Sequence, residues 1–185
     1  MMQIIIPAPQ KYISTCERIC SGVEAGSINF KVVEGGSERQ YSIWNGLKVL
    51  KSEVELVAVH DAARPFVKEE FVSSCFVTAD KVGGAVLGIP VKDTIKEVKR
   101  DLEIRSTPER SSLWQAQTPQ VYKKDMIVEA YESALKEGFL GTDDASLIER
   151  IGGEVKMVMG DSENLKITYP VDLKMAELIA EGWNE

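Results

Sequence analysis

Leu56-Val57-Ala58-Val59-His60-Asp61-Ala62-Ala63-Arg64-Pro65-Phe66 is the stretch around which the chain is organised. Leu56–Val59 is a short, valine-rich apolar run, the signature of a strand buried on both faces in the middle of a parallel sheet. The run stops at His60-Asp61, which puts a carboxylate at the carboxyl end of that strand. Open α/β sheets bind their ligands just outside such ends. Ala62 and Ala63 are small enough to let a ligand approach the backbone, and Pro65 stiffens the exit. A carboxylate and a guanidinium thus stand three residues apart. Two readings fit that spacing: a ligand site, or an internal Asp61–Arg64 ion pair that only shapes the loop.

On the amino side, Met2–Ile6 reads as a parallel strand running into Pro7 and Pro9, followed by a helix over about Gln10–Ser21 that Gly22 stops. Phe30–Val33 is a short strand. Gly35-Gly36 then permits backbone geometry closed to other residues, with Ser37 as cap of a helix over about Glu38–Leu50. Free N–H groups beside a Gly-Gly turn suit a nucleotide, although the same three residues also describe an ordinary turn. On the carboxyl side, Lys68–Asp80 has helical spacing and Val82–Pro90 reads as another buried strand. Thr94–Lys99 partly alternates and Leu102–Ser106 alternates again after Arg100-Asp101, a charged β-hairpin. Such a hairpin is marginal alone and needs something to pack on, for which a second subunit is the expected source. Trp114 reads as a packing residue rather than a stacking platform.

Lys123–Glu137 is an amphipathic helix stopped by Gly138. Thr142 is the expected cap of the next helix, with Asp143 and Asp144 in its first turn; capping explains these acids more simply than metal binding does. Gly152-Gly153 ends that helix. Glu154–Met159 and Asn164–Thr168 read as strands, and Pro170 opens a last helix to about Glu181. The alternation predicts an α/β fold: a Rossmann-like, doubly wound mixed sheet in one domain over residues 1–185, with a protruding hairpin arm at about 93–112.

The 185 residues carry 44% hydrophobic and 28% charged side chains, ordinary for a globular chain with a real core. A net charge of −7 argues against nucleic acid or an anionic membrane as partner, so an anionic substrate would need a local cationic cluster. No stretch is apolar enough to span a bilayer and no signal-peptide pattern opens the chain. Three cysteines, Cys16, Cys20 and Cys75, and a single histidine argue for reduced thiols in a cytoplasmic setting and against a metal centre.

Motifs spread along the chain resemble those of the 2-C-methyl-D-erythritol 4-phosphate cytidylyltransferase family. They are Gly35-Gly36 with Arg39 and Ser42, His60 to Pro65, Pro90-Val91-Lys92-Asp93-Thr94, and Arg110 before Leu113-Trp114. Gln117-Thr118-Pro119-Gln120, Thr142-Asp143-Asp144-Ala145-Ser146 and Asn164-Leu165-Lys166-Ile167-Thr168 complete the set, in the family's order. The resemblance implies transfer of CMP from CTP, with Mg²⁺, to a sugar-alcohol phosphate. It implies that Gly36, Ser37, Ser42 and Asp61 contact the nucleotide, that Arg64, Thr94 and Thr118 hold the acceptor, and that Arg110 and Lys166 position the attack. It also implies a homodimer in which Thr94 and Arg110 reach the neighbouring subunit's site.

The family's opening strand, glycine-rich loop and lysine have no counterpart in the sequence, whose Met2–Ile6 corresponds to the family's second strand. The expectation is therefore a chain impaired in turnover as it stands. The alternatives are a ribitol-5-phosphate cytidylyltransferase, which shares fold and motifs, and a non-catalytic remnant that dimerises and binds a polyol phosphate.

Overall fold

A computed structural model describes residues 2–23, 26 and 28–183. The chain divides into two compact units, residues 1–57 with 124–153 and residues 58–123 with 154–185.

The first unit is built on β1 (Gln3–Ala8) and β2 (Asn29–Glu34), a parallel pair in register from Gln3 opposite Asn29 to Ala8 opposite Glu34. Helices α1 (Ile13–Ser21) and α2 (Arg39–Leu47) pack on it. α2 comes so close to β1 that a β-carbon on Gly46 would stand 3.5 Å from Pro7. Helix α4 (Lys124–Glu137) buries Ile127, Ala130, Tyr131 and Ala134, the i, i+3, i+4, i+7 stripe of an amphipathic helix. It packs against α5 (Asp144–Arg150).

Polar groups buried within this unit are matched. The Gln40 amide donates to the Phe139 carbonyl and accepts from the Gly141 N–H, both at 2.9 Å. Asp144 is fully buried, receives Arg39 at 2.8 Å and accepts the Tyr131 hydroxyl. This ties the first residue of α2 to α4 and α5.

Two expected caps are corrected. α2 starts after Glu38 with no side-chain cap, so Ser37 does not cap it. Asp143, not Thr142, caps α5: its carboxylate takes the Ser146 N–H at 3.0 Å. A carboxylate is a good N-cap acceptor, and being one residue nearer lets it reach the third helical N–H.

The second unit holds a sheet ordered β3-β7-β4-β8, formed by β3 (Leu56–Val59), β7 (Trp114–Lys123), β4 (Gly84–Pro90) and β8 (Val155–Met159). β4 runs antiparallel to β7 and parallel to β8, with an irregularity between Val86 and Gly88. Helix α3 (Glu69–Val82) lies on β4, β7 and β8, burying Cys75 and Ala79 completely. Burial in this apolar setting pushes the Cys75 thiol up to about 11. Gly88 is required by close packing: a β-carbon there would meet the Gln115 carbonyl oxygen at 2.8 Å.

Two expectations are revised in this unit, and one strand that the sequence did not announce is added. β3 is the outer strand of its sheet among the described residues, and Ala58 is exposed, so the run is not buried on both faces. The stretch from Trp114 is a ten-residue strand, with Gln117 to Tyr122 buried. Its Gln-rich composition hides it, because buried strands usually announce themselves by apolar runs. Asn164–Thr168 is not a strand but an extended loop held by side chains.

The expected hairpin is present as β5 (Glu97–Val98) and β6 (Ile104–Ser106), antiparallel. Its faces are exposed, Leu102 being 80% accessible, and it is laced by Arg105–Glu97 at 2.8 Å and Lys99–Glu103 at 2.7 Å. Helix α6 (Pro170–Trp183) closes the chain. Asp172 accepts the Thr168 and Tyr169 N–H groups at 2.8 and 2.7 Å, which holds its carboxyl below the usual range. Among the described residues no helix is long and apolar enough to cross a membrane.

The Arg39–Asp144–Tyr131 network yields a test. Asp144→Ala strands a guanidinium and a phenol whose partner was buried, and should destabilise the chain by about 3 kcal/mol. Urea unfolding measures it; a midpoint equal to wild type would show that the network contributes nothing.

Candidate functional site

In the first unit, β2 ends in the Gly35-Gly36 turn. The Ser42 hydroxyl, one turn into α2, accepts the Gly36 N–H at 2.9 Å. Ser42 Oγ is also 3.1 Å from the Glu38 carbonyl, to which it donates. A β-carbon on Gly36 would stand 2.3 Å from that of Tyr41, so only glycine fits. The structure therefore brings Gly36 and Ser42 together and leaves Ser37 exposed in the same turn.

In the second unit, the residues that follow β3 meet the loop that follows β8. The Arg64 N–H bonds to the Asp61 carbonyl at 2.9 Å, making a tight turn of Asp61 to Arg64. The Ile167 N–H reaches the Ala63 carbonyl at 2.9 Å, and Arg64 Nη1 donates to the Asn164 carbonyl at 2.8 Å. Lys166 is thereby delivered to Asp61, Nζ to Oδ2 at 2.9 Å. The Asp61 side chain is 17% accessible and that of Lys166 45%, so the ammonium keeps an open side. The expected Asp61–Arg64 relationship is thus mainly one of backbone: the carboxylate takes Lys166, and the guanidinium fastens the loop.

Asn164 holds this arrangement. It is fully buried, and its Nδ2 donates to the Thr118 carbonyl at 3.0 Å and to Gln117 Oε1 at 3.2 Å. Both partners are acceptors, which settles which way the amide faces. Gln117 Nε2 in turn bonds to the Asp161 carbonyl at 2.8 Å. The Asp161 carboxylate receives Lys68 at 2.7 Å, and Lys68 also meets Glu163 at 2.9 Å. The Lys68 contact, then the Glu163 N–H, hold the Asp161 carboxyl below the usual range; Asp161 and Glu163 raise the Lys68 ammonium.

Thr118 is 4% accessible, its hydroxyl placed between His60 Nδ1 and the Asp61 N–H at 3.0 Å each. It lies behind the Asp61 turn. Arg110 and Thr94 stand elsewhere: Arg110 Nη1 donates to the Lys92 carbonyl at 2.9 Å, and Thr94 is exposed where the chain enters the arm. Neither shares a hydrogen bond or ion pair with the Asp61–Lys166 cluster. Reading the sequence missed the fastening roles of Asn164, Gln117 and Asp161, and the burial of Asp144. Partners 44 to 105 residues away in sequence decide these roles.

The fold and these sites define a doubly wound α/β protein with a cationic and carboxylate cluster beyond a strand end. The chain belongs to the IspD family, 2-C-methyl-D-erythritol 4-phosphate cytidylyltransferase, whose model matches residues 1–182. It is 52% identical over 149 residues to the enzyme of that name from Caldanaerobacter subterraneus subsp. tengcongensis, covering 80% of this chain and 66% of the relative. With the one from Clostridioides difficile it shares 49% over 151 residues, 82% of this chain and 63% of the relative. The chain thus spans a little under two thirds of the length of the curated relatives it matches.

Among solved structures, the 4-diphosphocytidyl-2C-methyl-D-erythritol synthase of Anaerococcus prevotii superposes with a TM-score of 0.90 at 31% identity, over 98% of this chain and 82% of that one. The 2-C-methyl-D-erythritol 4-phosphate cytidylyltransferase of Thermus thermophilus gives 0.79 at 28%, over 98% of each chain.

Because its folded-state value is depressed, the Asp161 carboxylate adds stability above its unfolded pKa, and that stability is lost as pH falls through the folded value. Asp161→Asn should therefore cost stability near neutral pH and much less in strong acid. Urea titrations at both ends of that range check it; an equal cost at both would show that the ion pair is not what stabilises the loop.

Proposed function

We propose that this chain carries the cytidylyltransferase chemistry of its family: CMP passes from CTP to 2-C-methyl-D-erythritol 4-phosphate and pyrophosphate is released. The observation that supports this reading most is the Asp61–Lys166 pair, which holds a half-exposed ammonium rigidly beyond a strand end, with the Arg64 guanidinium on the same loop junction. An acceptor phosphate oxygen attacks the α-phosphorus, a new P–O bond forms, and the bond to the pyrophosphate oxygen breaks. The nucleophile is already anionic near neutral pH, so no general base is needed. What the protein must supply is positive charge and alignment between two anions.

In this reading Lys166 and Arg110 position the attack, Lys166 as a point charge and Arg110 as a fork. Arg64 and Thr94 serve the acceptor, and Thr118 serves it through the turn it supports. Gly36, Ser37 and Ser42 take the base and ribose, Ser37 through its backbone, and Asp61 stands near the nucleotide. The described residues hold no group of three histidine, cysteine or acidic side chains able to bind a metal. Mg²⁺ would enter with the triphosphate, whose oxygens favour it. A ribitol phosphate acceptor would use the same cationic cluster; it is the resemblance of the Asp144-Ala145-Ser146 motif to the methylerythritol family that favours the methylerythritol substrate.

Calorimetry with 2-C-methyl-D-erythritol 4-phosphate tests the site. Lys166→Ala should weaken binding by roughly tenfold or more, the value of one charge-assisted contact. Affinity unchanged in this variant would sink the assignment.

The exposed arm supports a second part of the proposal, a homodimer clasped through β5 and β6. Ile95, Val98, Leu102 and Ile104 leave apolar surface on a hairpin too small to be stable alone. Sedimentation at micromolar concentration should find a dimer, and replacing Leu102 and Ile104 with lysine should yield monomer. A clean wild-type monomer would remove both the dimer and any site shared between subunits.

A further inference from the structure

His60 is the only histidine of the chain, and the reaction proposed above leaves it no proton to move. Its surroundings nevertheless determine its state. Nε2 lies 3.0 Å from the Arg64 carbonyl, which can only accept, so Nε2 carries the hydrogen. In the neutral ring Nδ1 is then an acceptor and takes the Thr118 hydroxyl hydrogen at 3.0 Å. With its hydrogen so directed, the Thr118 oxygen accepts the Asp61 N–H at 3.0 Å. The Arg64 N–H closes the ring on the Asp61 carbonyl at 2.9 Å. From Asp61 N–H to Thr118 to His60 to the Arg64 carbonyl, every donor points the same way, and bonds so aligned polarise one another.

We infer that His60 is a positioning residue: as its neutral Nε2–H tautomer it clamps the Asp61–Arg64 turn through Thr118, and so holds the Asp61 carboxylate that orients Lys166. The inference rests on the acceptor-site reading given above. Protonation would undo the clamp. An Nδ1–H cannot accept from Thr118, whose buried oxygen would then face two donors while its own hydrogen lost its partner. The charged groups around the ring are Asp61 and Arg64 on its own turn, and Lys166, from the loop after β8, which is bonded to Asp61. Burial of the ring lowers the His60 pKa from its ordinary 6.5, and the Arg64 charge adds to this; the Arg64 carbonyl and the Asp61 charge oppose it. The clamp should therefore be fully formed above the unfolded-state value and open as pH falls through the lower folded one.

Because the chain has one histidine, ¹⁵N-histidine spectra of the intact 185-residue protein report on it alone. The expected result is a neutral Nε2–H tautomer near neutral pH that titrates below 6.5. An Nδ1–H tautomer, or a pKa at or above that value, would overturn the clamp. Calorimetry with 2-C-methyl-D-erythritol 4-phosphate supplies the second measurement. His60→Ala and Thr118→Val should each weaken binding by roughly fivefold. The double variant should be no worse than the more severe single, and His60→Asn, whose Oδ1 can still accept from Thr118, should recover part of the loss. Additive losses would show two independent structural effects and overturn the coupling. A wild type with the expected spectrum that binds no polyol phosphate would overturn the site reading and with it the positioning role, leaving only the hydrogen-bonded ring. A wild type that binds the phosphate with the other tautomer would overturn the clamp and leave the site.

Discussion

A buried polar group must find its partners, and in the second unit that requirement falls on Asn164. Fully excluded from solvent, its side-chain N–H groups are taken by the Thr118 carbonyl and Gln117 on β7, while its backbone carbonyl receives Arg64. One residue thus ties the loop after β8 to a central strand and to the turn after β3. Leaving such a group unmatched costs about 1–3 kcal/mol, so the loop has one favourable course across β7. Lys166, two residues further on, is carried with it and meets Asp61. The cationic cluster is a consequence of this fastening, not of any attraction strong enough to fold the loop by itself, since half-exposed ion pairs contribute little.

The first unit follows the same logic with different residues. Asp144 is the buried acid, and Arg39 and Tyr131 are the groups it brings together. Arg39 opens the helix whose first turn places Ser42 against the Gly36 N–H. In both units a glycine or tight turn is free to approach a ligand because a buried polar side chain holds the neighbouring element still. Positioning of this kind suits phosphoryl transfer, in which the protein supplies charge and alignment rather than proton transfer.

Much of the fold was legible because periodicity reports burial directly. α4 shows its stripe at Ile127, Ala130, Tyr131 and Ala134, and the hairpin shows its alternation and its charged turn. The reading failed where polar residues are buried. β7 carries Gln117, Thr118 and Gln120 inward, so no element was read there, and Asn164–Thr168 reads as a strand although its side chains rather than a ladder hold it. The caps shifted for a local reason: Asp143 outcompetes Thr142 by geometry, and Glu38 stands where Ser37 was expected.

The sequence by itself determined the class of fold, most of its helices and strands, the glycine turn at Gly35-Gly36 and the family to which the chain belongs. These depend on residue type and near-neighbour spacing, which a linear chain displays in full. Only the tertiary structure decided that Asp61 takes Lys166 rather than Arg64, that Thr118 faces His60 from behind the turn, and that Arg64 fastens a loop 100 residues away. The reason is that several donors and acceptors compete for each of these groups. Which pair forms depends on the burial and distance set by the packed sheet, and neither quantity is present in the order of the residues.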